Sequence, residues 1–185
     1  MKLSGEKVVV IGGAGLIGSH TVDQLTRTDV GEILVYDNFV RGRPTNLAGA
    51  LADPRVKIYD IGGDILQTDV LHAALDGASG VFHFAALWLL QCHDFPRSAF
   101  DVNVRGTFNV IMAAIRQKVK RVVYSSSASV YGDALQTPMT EDHPYNNFTF
   151  YGAAKIAGEH FFKSLGHRYG LAWAGLRYMN VYGPR

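Results

Sequence analysis

The sequence predicts an α/β protein built on a doubly wound parallel sheet. Three observations carry this. Short β-branched runs alternate with segments of helical spacing from Lys7 to Arg177. The first run leads directly into a glycine-rich turn, Gly12-Gly-Ala-Gly-Leu-Ile-Gly18. The second run closes on an acidic residue, Asp37. Strands that alternate with helices pair in parallel, because each crossover helix packs back on the sheet with one hand.

The elements follow in order. Lys7 to Ile11 reads as a buried parallel strand, apolar without alternation. After the glycine turn, Ser19 to Thr26 has helical spacing, with Val22 and Leu25 on one side. Glu32 to Tyr36 is the second strand. Arg41 to Leu51 is a polar loop with room for a short helix, and Val56 to Tyr59 is the third strand. Leu66 to Leu75 reads as a helix broken by Gly77-Ala-Ser-Gly80, and residues 80–84 form the fourth strand. Ser98 to Gln117 reads as one long helix, apolar on more than one face through Phe100, Val102, Val104, Phe108, Val110, Ile111 and Ile115. Such a helix is expected to be covered on both sides. Arg121 to Tyr124 is the fifth strand, 132–149 a long loop with Pro138 and Pro144, 150–167 a helix and 172–177 the sixth strand. A loop that long in a compact domain is usually functional.

Composition excludes several classes. The 185 residues carry 18 Lys plus Arg against 16 Asp plus Glu, a formal net charge of +2, and are 48 % hydrophobic. That is a globular core, not a disordered tail, and the basic excess is too small and scattered for an electrostatic nucleic-acid binder. The apolar stretch Val81–Leu90 carries His83 and is too short to cross a bilayer, so no membrane partner is expected. Cys92 is the one cysteine, which precludes an intrachain disulfide and suggests a reducing compartment. The N-terminus lacks the features of a secretory signal, and the expectation is a cytoplasmic protein.

The glycine turn fits G-x-x-G-x-x-G through Gly12, Gly15 and Gly18, and equally G-x-G-x-x-G through Gly13, Gly15 and Gly18. In either register, glycines let the backbone approach a pyrophosphate, and the following helix offers unpaired N–H groups at its positive end. Asp37 at the end of the next strand can accept from both ribose hydroxyls and would repel a 2′-phosphate, which favours NAD; Arg41 and Arg43 just beyond keep NADP in play. Asp64, after the third strand, suits either an adenine amino group or a cap for the helix from Leu66.

Tyr151 and Lys155 stand at i and i+4, on one face of a helix. A cation beside a phenol favours the phenolate, and a phenol lowered in this way can serve as an acid/base. The spacing alone also suits a solvated surface pair. The hydroxyl cluster Tyr124-Ser-Ser-Ser-Ala-Ser-Val-Tyr131, directly after the fifth strand, favours the chemical reading. Ligands of open α/β sheets bind beyond the carboxyl ends of the strands, so serines, glycine turn, Asp37 and Tyr151 are expected at one crevice.

Taken together, these blocks resemble the extended short-chain dehydrogenase/reductases, specifically their nucleotide-sugar epimerases and dehydratases. The resemblance also rests on Asp37-Asn38, Gly63-Asp64-Ile65, His83-Phe-Ala-Ala86, Asn103 to Thr107 and Arg177 to Arg185, and spans nearly the whole chain. It implies a Rossmann fold holding NAD, with Tyr151 as base, Lys155 as its helper and Ser127 as the catalytic hydroxyl. It implies a cofactor set of Gly12, Gly15, Leu16, Ile17, Gly18, Asp37, Asn38, Gly42, Asp64, Ile65, Phe84, Ala85, Ala86, Asn103, Ser125 and Tyr178, besides Tyr151 and Lys155. Trp88, Ser127 and Asn180 would meet the substrate, a nucleotide-diphosphate sugar. It implies a homodimer through helices 98–117 and 150–167, and a C-terminal substrate lobe after residue 185, so that 1–185 is the cofactor domain.

Dehydratases of this group carry an acid pair after the catalytic hydroxyl. Here the matching stretch is Ser127-Ala128-Ser129-Val130-Tyr131-Gly132, with no carboxylate, which favours C4 epimerisation through a 4-keto sugar. Ile11, Trp88-Leu-Leu-Gln-Cys-His93 and Phe150 depart from the usual pattern and leave the sugar open. The alternatives are an NAD(P)-dependent sugar or ketone reductase, or a non-catalytic NAD-binding module. Cys92-His93 has no second ligand pair at suitable spacing, so no metal is expected. His83 is expected to be a satisfied core histidine, and Glu141-Asp142 solvated.

Overall fold

The structure, a computed structural model, describes residues 3–185. Six strands form one sheet: β1 (Lys7–Ile11), β2 (Glu32–Tyr36), β3 (Val56–Ile58), β4 (Ala78–His83), β5 (Arg121–Ser127) and β6 (Ala172–Tyr178). Six α-helices accompany them: α1 (Leu16–Thr26), α2 (Thr68–Ala74), α3 (Leu89–Asp94), α4 (Pro96–Ala99), α5 (Thr107–Arg116) and α6 (Phe150–Tyr169). The strand order is β3-β2-β1-β4-β5-β6, all parallel. The order in which strands are added to the sheet reverses between β1 and β4, and there a ligand crevice opens at the carboxyl ends.

Pleating sorts the core into two layers. Val9, Ile11, Leu34, Tyr36, Val81, Val122 and Tyr124 pack with residues of α2, α5 and α6. Val8, Val10, Ile33, Val35 and Val56 pack with α1 and the 3₁₀ turns Pro44–Leu47 and Ala50–Ala52. Strands buried on both faces are why β1 and β2 read as unbroken apolar runs, and each such aliphatic side chain contributes about 2 kcal/mol. Burial falls toward β6, where Leu176 is 40 % exposed.

Several elements differ from the sequence expectation, β4 among them, which begins at Ala78 and ends at His83 against an expected 80–84. Helix α1 begins at Leu16, not Ser19, because Gly15 takes extended geometry at its N-cap and the turn feeds straight into the helix. Strand β5 continues to Ser127: its three serines pair with Leu176, Arg177 and Tyr178 of β6, which overrides serine's weak strand preference. The single helix expected over 98–117 is instead α4, a π-helical stretch Phe100–Gly106 and α5, preceded by α3. In the π stretch the buried Asn103 accepts from the Leu87 N–H (2.7 Å) and donates to the Leu87 carbonyl (2.9 Å). The wider turns bring this amide against the chain leaving β4, a local use of π geometry common near functional sites. The helix expected over 150–167 extends to Tyr169 and stops at Gly170, whose φ of 72° supplies a left-handed cap.

Candidate functional site

The glycine turn is held open by the absence of side chains. Gly12 has φ +77°, and a Cβ there would lie 2.7 Å from the Ala85 nitrogen at the end of β4. A Cβ on Gly18 would overlap the Gly12 carbonyl. The buried Asp37 carboxylate is oriented by the turn itself: Oδ2 accepts from the Ala14 N–H and Oδ1 from the Phe39 N–H, both at 2.8 Å. Each oxygen keeps a lone pair for a further donor. Asp64 accepts from the Leu66 N–H at 2.9 Å, as a local cap, and also lines the crevice.

The second half of the site is built by β5 and α6. Thr149 caps α6 by accepting from the Gly152 N–H at 3.0 Å. Tyr151 and Lys155 follow on one helix face. Lys155 is buried; its Nζ donates to the Ser125 carbonyl at 2.7 Å and lies 5.2 and 5.5 Å from the ring centres of Tyr124 and Tyr151. Burial pushes its pKa down to about 8. The Ser127 hydroxyl accepts from the Ser129 N–H at 3.1 Å and so starts the 3₁₀ turn Ala128–Val130.

The expected lowering of the phenol is reversed in this arrangement. Burial raises the Tyr151 pKa above its ordinary value, and the neighbouring Ser127 hydroxyl offsets only part of this. Desolvation is the largest influence on the phenol.

Below Lys155, a network joins four segments. Glu159, one helical turn further, accepts from the Ser126 hydroxyl (2.5 Å), the Tyr145 hydroxyl (2.7 Å), and Arg177 Nε and Nη2 (2.9 and 2.7 Å). Arg177 also donates to the Tyr131 hydroxyl (2.9 Å) and the Glu141 carbonyl (2.8 Å). Burial would raise the Glu159 carboxyl, but its donors outweigh this and hold it below the usual range. The network ties α6, β5, β6 and the 132–149 loop together.

A cleft of about 1020 Å³ gathers most of the residues singled out in the sequence. Gly12, Gly15 to Gly18, Asp37, Asn38, Gly42, Asp64, Ile65, Phe84 to Ala86, Ser125, Tyr151 and Lys155 all line it. Asn103, Ser127, Tyr178 and Asn180 are outside its lining: Asn103 braces Leu87, Ser127 lies next to Tyr151, and Asn180 is exposed beyond β6. Trp88, assigned to the substrate, lines this same cleft opposite Arg41. His83 is buried with Nε2 3.1 Å from the Thr107 hydroxyl, but its Nδ1 has no partner, so it is only half satisfied; burial drives its pKa down to about 3. Among the described residues no cluster suits a metal, and no helix is long and apolar enough to cross a membrane. Sequence reasoning missed Glu159, although it continues the Tyr151–Lys155 face by one more i,i+4 step.

The profile of the NAD dependent epimerase/dehydratase family matches residues 8–185. The chain belongs to this family. It is 33 % identical over 181 residues to a putative UDP-glucose 4-epimerase of Methanocaldococcus jannaschii, covering 96 % of this chain and 57 % of that protein. The UDP-N-acetylglucosamine 4-epimerase of Methanobrevibacter ruminantium superposes with a TM-score of 0.90 at 33 % identity, over 98 % of this chain and 57 % of that one. DesIV, a dTDP-glucose 4,6-dehydratase of Streptomyces venezuelae solved with NAD bound, gives 0.90 at 32 % identity, over 96 % and 57 %. The chain thus spans little more than half the length of these relatives. The family is described as NAD dependent, and the cleft fits that cofactor: the space at Gly12 and Gly18 is what a Cβ would fill, the start of α1 lines the floor, and Asp37 keeps free lone pairs.

Proposed function

We propose that residues 1–185 are the cofactor-binding and catalytic portion of a nucleotide-sugar 4-epimerase. The observation that carries this is the convergence of Tyr151, Lys155 and Ser125 on the cleft that also contains the glycine turn and Asp37, with Ser127 beside Tyr151. The turn and the N-terminus of α1 would hold the dinucleotide's phosphates and Asp37 its adenosine ribose, with Phe84 to Ala86 lining the same cleft. Bound NAD supplies the hydride acceptor, and its cationic ring adds charge that favours a phenolate. Tyr151 takes the proton from the sugar 4-hydroxyl, and Ser127 donates to the same oxygen as it becomes a carbonyl. Lys155, with a pKa of about 8, carries positive charge near neutrality and stabilises the phenolate across the ring face. Turning the 4-keto sugar over and reversing both transfers inverts C4.

Epimerisation is favoured over dehydration by the residues after Ser127. Ala128 and Ser129 offer no carboxylate to remove water across C5 and C6. A homodimer through 98–117 and 150–167 is supported by Phe100, Phe108 and Phe150, large apolar side chains of these segments that are each at least 40 % exposed.

The test is a proton NMR time course with UDP- and dTDP-hexoses on the longest natural form of the protein. The expected result is a C4 epimer without net NADH. Tyr151→Phe should bind NAD unchanged and lose at least ~100-fold in turnover, the scale of general acid–base catalysis. Net consumption of NADPH, or a Tyr151→Phe variant with full activity, would overturn the reading.

A further inference from the structure

Four cations line the cleft: Arg41, Arg43, Lys155 and Arg185. Two are already committed. Lys155 donates to the Ser125 carbonyl, and Arg185 pairs with Asp23 at 2.5 Å. Among the described residues, neither Arg41 nor Arg43 takes part in an ion pair. Arg41 lies instead over the Trp88 indole, 5.1 Å from its centre. This contact joins the loop after β2 to the loop after β4. Those strands flank β1, whose end becomes the glycine turn, so the pair straddles the turn.

Both partners are anchored through their backbones. At Gly42 a Cβ would sit 2.7 Å from the Ala14 Cβ and 2.9 Å from Asp37 Oδ2, so the chain beside Arg41 is pressed onto the turn. The Arg43 N–H (3.2 Å) and Asn46 Nδ2 (2.8 Å) both donate to the Ala14 carbonyl. On the other wall, Asn103 fixes Leu87, and the Trp88 carbonyl accepts the first hydrogen bond of α3, from the Cys92 N–H at 3.0 Å. A guanidinium without a counter-ion, fixed beside a helix N-terminus, is a site for an oxyanion.

The geometry points to Arg41, steadied by Trp88, as a ligand of the dinucleotide's diphosphate, which places Trp88 on the cofactor side of the cleft and not with the sugar. This rests on the NAD reading above. The position selects the phosphate. Asp37 at the β2 end marks the adenosine side, and Tyr151 beyond β5 marks the nicotinamide side; the diphosphate between them must pass over β1, beneath the pair. A 2′-phosphate would meet the Asp37 carboxylate. A sugar-nucleotide diphosphate belongs on the Tyr151 side beyond β5, with β1 and β4 lying between that strand and β2, which leads to Arg41.

The experiment is calorimetric titration of this chain, wild type, Arg41→Gln, Trp88→Ala and Trp88→Phe, with NAD⁺, NADP⁺, ADP-ribose and UDP, and with adenosine by competition. Both side chains are exposed, so ligand-free melting temperatures should match. Arg41→Gln should weaken NAD⁺ and ADP-ribose about tenfold, the worth of a charge-assisted contact, and leave adenosine and UDP unchanged. Trp88→Ala should weaken them about threefold, as expected for an exposed cation–π contact, with rescue by Trp88→Phe. Raising salt should narrow the gap between wild type and Arg41→Gln. Wild-type affinity for ADP-ribose in Arg41→Gln, an equal loss for adenosine, a loss for UDP alone, or a loss confined to NADP⁺ would each overturn the assignment. A wild-type chain that binds no dinucleotide would instead overturn the NAD reading itself.

Discussion

The glycine turn after β1 and the corner formed by β5, α6 and β6 line the same cleft, but they are held in opposite ways. The turn is fixed by backbone. Gly12 and Gly18 have no room for a Cβ, and the Ala14 N–H and carbonyl are taken by Asp37, Arg43 and Asn46. The corner is fixed by side chains. Glu159 accepts from three residues, and Lys155 crosses from α6 to β5. A backbone-built site tolerates almost no added atoms. A side-chain-built site depends on every partner's charge and on whether each is satisfied.

The sharpest break of this comparison is Gly18→Ala. Its Cβ would collide with the Gly12 carbonyl, a backbone atom that cannot step aside. Overpacking of this kind costs about 3 kcal/mol, and dinucleotide affinity should fall by roughly 100-fold or more as the turn shifts. Thermal melting and NAD titration read both effects; unchanged binding would show that the turn is not the cradle.

Next in size is Glu159→Gln. It keeps the shape of the corner but leaves Arg177, 20 % exposed at its side chain, without a countercharge. Breaking such a pair costs about 3 kcal/mol, whereas Glu159→Leu with Arg177→Met together should cost less than either change alone. Glu159 is held below its usual pKa when folded, so its stabilising contribution is present above the unfolded value of 4.5 and is lost as pH falls through the lower folded value. The deficit of Glu159→Gln in urea unfolding should therefore shrink below pH ~4.5. A deficit that does not change with pH would place the stabilisation in shape, not charge.

Asn103→Ala should follow, at about 2 kcal/mol. It removes two hydrogen bonds to Leu87 and leaves both backbone groups short of partners. Because Leu87 leads into Trp88, NAD affinity should fall about threefold as well. Melting and titration of one variant test both.

The same contrast explains what could be read in advance. The glycine turn, Asp37 and the strands that frame them were legible, because each requirement is local: a turn that only glycine fits, or a run buried on both faces. The corner's partners lie far apart in sequence: Ser126 and Glu159 by 33 residues, Tyr131 and Arg177 by 46. Nothing in their local pattern pairs them. The serine run read as lying just beyond the fifth strand because its strand partner, residues 176–178, is supplied from a distance. The 98–117 segment has helical periodicity, which does not distinguish π from α turns; the deciding contact is Asn103 on Leu87. The direction of the Tyr151 shift also eluded the spacing rule, since i,i+4 places the cation near the phenol without saying how deeply the phenol is buried.

The change that tests the comparison most directly is Lys155→Met. The corner contains two cations, and they differ in kind. Arg177 has a carboxylate partner; Lys155 has only a carbonyl and two ring faces. Burial therefore lowers its pKa from 10.5 to about 8. Below pH 8 the amine is charged in both folded and unfolded chains, and the folded state bears the full desolvation cost. Between about pH 8 and 10.5 the folded chain has lost the proton that the unfolded chain keeps, so wild type gains stability as pH rises. Methionine removes the charge and keeps much of the volume, at the loss of one hydrogen bond. The variant should be more stable at pH 7, since the desolvation cost exceeds the lost bond of about 1 kcal/mol, and the advantage should fade toward pH 10.5. Turnover in the longest natural form should be lost in the same variant. Urea unfolding at pH 7 and pH 10 measures the pair. A stability gain joined to a loss of function separates the chemical cation from the structural one. A Lys155→Met variant that is destabilised at pH 7, as Glu159→Gln should be, would mean that the two cations hold the corner together and that its structural and chemical residues form one set.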